Sequence, residues 1–83
     1  MGGKTMKYKG YEICVCVAVC YANTQYIADE FDTMQEARKA YKNKKGYSFW
    51  YLAAEVINDR VDLNPACWGK TKNEALTRLK KAL

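Results

Sequence analysis

Four cysteines in a chain of 83 residues without a single histidine raise the question of a metal site first. Cys14, Cys16 and Cys20 fall on a stretch that alternates like a strand. Cys14 and Cys20 are then about 20 Å apart at a rise of about 3.3 Å per residue, too far for one tetrahedral ion. Cys14, Cys16 and the distant Cys67 offer three thiolates and no neighbouring fourth ligand. The pattern reads instead as small apolar packing residues in a reducing compartment, and no metal or cofactor is expected.

Asn64 to Thr71 (Asn-Pro-Ala-Cys-Trp-Gly-Lys-Thr) matches a phosphate-binding loop except at its first glycine. Pro65 and Trp68 stand where such a loop needs pliable backbone, and only twelve residues follow Thr71 to supply a magnesium-binding acid. Lys70 keeps a lesser role as an anion contact beside a helix start. The acids Asp29, Glu30 and Asp32 are close together, but strand alternation sends Glu30 to the face opposite Asp29. With no histidine, glycine-rich loop or nucleophile motif, no catalytic set is expected and the chain reads as non-enzymatic.

What remains is recognition chemistry. Tyr47, Phe49, Trp50 and Tyr51 follow Lys42, Lys44 and Lys45, and aromatics interleaved with cations suit single-stranded nucleic acid through stacking and phosphate contact. Alternation places Trp50 and Leu52 on one face and Tyr47, Phe49 and Tyr51 on the other, so part of the set belongs to a core. The candidate binding surface is therefore Lys42, Lys44, Lys45, Tyr47, Tyr51 and Lys70. Exposed members equally suit a protein partner. The net charge of +5, from 14 Lys and Arg against 9 acids, permits a polyanionic partner, although helix C-termini and solubility also favour cations.

The elements that must position these residues are marked by a repeat. Phe-Asp-Thr-Met-Gln-Glu-Ala at 31–37 is echoed by Gly-Lys-Thr-Lys-Asn-Glu-Ala at 69–75, each a Thr-x-x-Glu capping box that starts a helix. Lys9-Gly10-Tyr11 recurs as Lys45-Gly46-Tyr47, 36 residues on, and the capping boxes recur 38 residues on. From Tyr11 to Tyr21 the parity splits Tyr11, Ile13, Val15, Val17, Val19 and Tyr21 from Cys14, Cys16, Ala18 and Cys20, a strand apolar on both faces. Ala22 to Thr24 turns the chain, Gln25 to Phe31 returns, and a helix runs from about Met34 to Lys44. By the repeat, Tyr47 to Ile57 is the second long strand, Arg60 to Leu63 a short one ended by Asn64-Pro65, and Lys72 to Leu83 the second helix. Residues 1–6 read as a flexible tail.

The sequence thus predicts one α+β domain over 1–83, a ββαββα internal repeat with units at about 7–45 and 46–83. Its four-stranded antiparallel sheet carries two helices on one face. A competing reading makes residues 50–60 a third helix on a smaller sheet, since Trp50, Ala53, Ala54, Ile57 and Val61 also match a helical stripe. The small face Cys14, Cys16, Ala18 and Cys20 is the candidate face of a homodimer, because two short helices cannot cover both sides. The apolar run after Lys4, Lys7 and Lys9 alternates unlike a signal peptide and is too short to span a bilayer, so a cytoplasmic protein with no membrane association is expected.

Lys7-Tyr8-Lys9-Gly10-Tyr11-Glu12-Ile13, followed by a hairpin and the Thr-x-x-Glu-Ala helix, resembles small accessory proteins of phages and mobile elements over about the first 45 residues. Leu63 to Leu83 is similar to the end of the HicB-type antitoxin fold, without its Pro-Gly-Cys pattern or appended DNA-binding domain. What these resemblances and the missing catalytic set imply is an accessory protein that binds and regulates or inhibits a host protein or nucleoprotein complex, as anti-CRISPR and other anti-defence proteins do. The competing expectation is direct nucleic-acid binding.

Overall fold

The protein, analysed as a computed structural model, is described over residues 5–83. Five strands and two helices follow in the order β1 (Thr5–Tyr8), β2 (Tyr11–Tyr21), β3 (Ile27–Phe31), α1 (Met34–Ala40), β4 (Tyr47–Ile57), β5 (Arg60–Gly69) and α2 (Lys72–Ala82). All strand pairs are antiparallel. Residues 50–57 are strand, which removes the third-helix alternative. No helix among the described residues is long and apolar enough to cross a membrane.

The sheet has one strand more than the four the sequence predicts. Thr5 and Met6, expected in the tail, belong to β1, which pairs with β2 from Thr5↔Cys14 to Tyr8↔Tyr11; the rest of the expected tail lies outside the described residues. The two-residue turn between them holds Lys9 at φ 50° and Gly10 at φ 86°. Both central residues of a type I′ hairpin need positive φ, so the turn suits the right-handed strand twist. β3 then pairs with β2 farther along, from Val17↔Phe31 to Cys20↔Ile27. The remaining ladder of β2 is β4, from Ile13↔Glu55 to Tyr21↔Tyr47, and β5 closes the far side of β4.

The predicted ββαββα order is matched only in part: β2-β3-α1 is followed by β4-β5-α2, but β1 precedes them as a fifth strand. β5 is also longer than expected. It runs to Gly69 because the chain resumes pairing after an irregular step between Ala54 and Glu55, where residues 63–65 have no partner on β4. Pro65, lacking an N–H, is tolerated in such a step at a sheet edge. By contrast α1 is shorter than the sequence suggests: the helix ends at Ala40, and Tyr41 caps it by donating its backbone N–H to the Ala37 carbonyl at 3.1 Å.

Both helices start with the threonine half of the capping box. Thr33 Oγ1 accepts from the Glu36 N–H at 3.2 Å and Thr71 Oγ1 from the Glu74 N–H at 3.1 Å. Each satisfies one of the donors a helix start leaves unpaired. The Glu74 carboxylate reaches back one residue past the cap, to the Lys70 N–H at 3.5 Å.

The helices lie on the odd-numbered face of β2 and β4. Under α2, Ala75, Leu76 and Leu79 pack on Ile13 and Ala53, with Tyr8, Val15, Tyr51, Cys67 and Leu83 around them. Under α1, Ala37 packs on Val17 and Val19 beside Phe31, Met34, Tyr41, Tyr47 and Phe49. No helical residue joins the third cluster, which forms on the opposite face from Ala18, Cys20 and Leu52, flanked by Cys16, Ile27, Trp50, Ala66 and Trp68.

Candidate binding surfaces

The sequence-derived binding set is divided by the sheet. Tyr47 and Tyr51 point to the helix side and are half-buried in its core. Tyr47 lies 4.8 Å from the Tyr41 ring and 5.8 Å from the Tyr21 ring, while Tyr41 also meets Phe31 edge-on at 6.2 Å. Such edge-to-face contacts stabilise a core and leave few ring faces free for a base. Lys42, Lys44 and Lys45 are exposed on the connection from α1 to β4. Lys44 Nζ sits 4.7 Å over the Tyr41 ring, and Arg38 sits 5.3 Å over Phe49.

This end of the helix side is therefore a cationic cap seated on aromatic core residues. The ion pair present among the described residues is Arg78–Glu74 at 3.1 Å, on α2. None of Lys42, Lys44 or Lys45 is paired with an acid among those residues. Their charges remain available to a partner.

Lys70 belongs to the other face. Gly69 is paired with Tyr51, so the next residue falls opposite Trp50. Lys70 Nζ sits 3.6 Å from the Trp50 ring centroid, a close cation–π contact. The indole N–H of Trp50 donates to Ser48 Oγ at 3.0 Å, which holds the ring along its own strand. Trp68, opposite Leu52 on β5, is fixed through its backbone carbonyl, which accepts from Arg78 at 2.6 Å.

Trp50 and Trp68 are the functional candidates that the sequence-derived binding set leaves out. Leu52, Ala18 and Cys20 are almost fully buried although no helix covers them. The two indoles and the half-buried Cys14, Cys16 and Ala66 make up much of the outer apolar surface there. The signal was present in their parity, but pairing Trp68 with Leu52 needs the full length of β5.

The predicted dimer residues Cys14, Cys16, Ala18 and Cys20 all lie on this face, and Cys67 lies on the helix side. Burial pushes the Cys16 thiol up to about 12, with the charge of Glu30, then Cys14, then Asp32 adding to it. Burial, with Glu30 next, also raises Cys14, and burial raises Cys20. All three thiols are thus held in the protonated form at neutral pH, as suits packing residues. The same shifts locate Glu30 and Asp32 beside the cysteines. No protein-family model, curated protein or solved structure matches the chain.

Proposed function

We propose that this chain is a small non-enzymatic binding protein that engages a host protein or nucleoprotein complex and regulates or inhibits it, in the manner of anti-defence proteins. The observation that carries this reading is the exposed trio Lys42, Lys44 and Lys45, free of ion pairs among the described residues and backed by a packed aromatic cluster. Clustered cations complement an acidic partner surface and speed encounter with it. The nearby tyrosines are occupied with one another, which favours a charged partner surface over a strand of stacked bases.

Affinity capture from host lysate, with and without nuclease, separates this from direct nucleic-acid binding. The proposal expects one protein complex to be retained after nuclease by the wild-type chain and lost by Lys42→Ala/Lys44→Ala/Lys45→Ala. Retention abolished by nuclease, together with a steep loss of oligonucleotide affinity as salt rises, would replace it with the nucleic-acid reading.

A further inference from the structure

The face of the sheet away from the helices is ordered row by row. Glu30 is paired with Ala18, Ala18 with Trp50, and Trp50 carries Lys70 beside it, so one row runs acid, small, large, base across four strands. The next row runs from Asp32, one residue past the Val17↔Phe31 pair, through Cys16 and Leu52 to Trp68. In a third row Thr5, Cys14, Ala54 and Ala66 follow one another. Trp50, Leu52 and Trp68 make β4–β5 the bulkier side in the first two rows, the third row is small on both sides, and exposed carboxylates stand at one margin with an exposed ammonium at the other.

The duplication sharpens this asymmetry. Counted 36 residues on, Cys14, Cys16 and Cys20 correspond to Trp50, Leu52 and Val56. The first unit is the smaller member at each of these positions. Across the β2–β4 ladder itself Cys16 is opposite Leu52 and Ala18 opposite Trp50, whereas Cys14 is opposite Ala54 and Cys20 opposite Ser48.

We propose that two copies of this chain associate through these uncovered faces, about a two-fold axis parallel to the strands and between β2 and β4. That operation lays the left margin of each sheet on the right margin of its partner while keeping the rows in line. Glu30 then faces Lys70 of the second copy, and the half-exposed Trp50 and Cys16 meet the second copy over its buried Ala18 and Leu52, which leaves the charged margins to supply the self-complementarity an isologous interface requires. A two-fold axis across the strands instead sets Glu30 and Asp32 against their own copies and the tryptophans against tryptophans, with like charges opposed. Face-to-face sheets pack about 10 Å apart with strands roughly aligned, the spacing at which these side chains meet. The helices, and with them Lys42, Lys44 and Lys45, remain outward on both copies, so this inference stands apart from the proposed target surface.

The test is charge exchange, read by light scattering and sedimentation at about 100 µM, where an interface of micromolar affinity is largely occupied. The wild-type chain is expected at twice its monomer mass of 9.5 kDa. Glu30→Lys and Lys70→Glu are each expected to weaken the dimer at least tenfold, and the double exchange to restore it. Circular dichroism checks that each variant folds; should an exchange fail to fold, Glu30→Gln and Lys70→Gln are expected to weaken association several-fold. A monomeric wild-type chain, a dimer indifferent to both single changes, or a double exchange no better than its parents would overturn the proposal.

Discussion

Cys16 and Leu52 face each other across the central β2–β4 ladder, 36 residues apart, the spacing at which Lys9-Gly10-Tyr11 recurs as Lys45-Gly46-Tyr47. Each is the middle residue of its 11-residue strand, so the ladder has a local two-fold about this pair. The two long strands are therefore centred on one another, and the two hairpins extend the sheet outward from that point. The symmetry is not perfect. Phe31 and Gly69 hold the same place before their caps, yet Phe31 is opposite Val17 and Gly69 opposite Tyr51, so the second hairpin is slid by two residues. A slip of two preserves which face each side chain takes.

That slip sets Gly69 beneath the start of α2, where a Cβ would come 2.7 Å from the Ala75 backbone nitrogen and 3.0 Å from the Glu74 Cβ. Gly69→Ala should therefore force the helix off the sheet and cost about 1–3 kcal/mol, as overpacking typically does. Gly10, with nothing near its Cβ position, carries its constraint in a φ of 86° instead. Urea unfolding of Gly69→Ala checks the expectation.

The matched caps give a paired prediction. Thr33→Ala and Thr71→Ala each remove a side-chain acceptor from a helix start and should each cost about 1 kcal/mol. Loss of Thr71 should do more to the core, since α2 contributes Ala75, Leu76 and Leu79 and α1 contributes Ala37. Hydrogen exchange of the two helices resolves the effects separately.

In the core under α2, Leu79 is fully buried against Ile13 and Ala53. Leu79→Ala should cost about 2–5 kcal/mol through lost burial and the cavity left behind. In a domain this small that loss is a large share of total stability. A thermal or urea midpoint unchanged from the wild type would contradict the packing described.

The buried thiols make stability fall in alkali. The Cys16 thiol is raised from 9.0 to about 12 in the folded chain, first by burial and then by Glu30. The unfolded chain thus ionises first. Its contribution is fully present below about pH 9 and is lost as pH rises from there towards 12. Cys16→Ala should make that decline shallower when urea midpoints are followed from neutral to alkaline pH, and an identical slope would argue against a buried Cys16.

Much of this fold was legible because the parity of Tyr11 to Tyr21 and the two Thr-x-x-Glu boxes are local signals with direct physical causes. The repeat correctly assigned Tyr47 to Ile57 as a strand where periodicity alone was divided. β1 was missed because its four residues Thr-Met-Lys-Tyr show no apolar period, and its turn uses Lys-Gly rather than Asn-Gly. β5 was cut short at Asn64-Pro65 because an irregular step is a tertiary feature: pairing on β4 resumes only where Ala66 meets Ala54. The same omission hid the row from Asp32 to Trp68, and Lys70 was grouped with cations on the other side of the sheet.

The proposed role of Lys42, Lys44 and Lys45 in holding a target is tested by capture with wild-type and Lys42→Ala/Lys44→Ala/Lys45→Ala chains in parallel after nuclease treatment. All three residues are exposed and only Lys44 has a ring contact to lose, so the variant should keep wild-type stability within about 1–2 kcal/mol and stay folded. The account predicts a folded variant that no longer retains the complex held by the wild type. Equal retention by the two chains would contradict it.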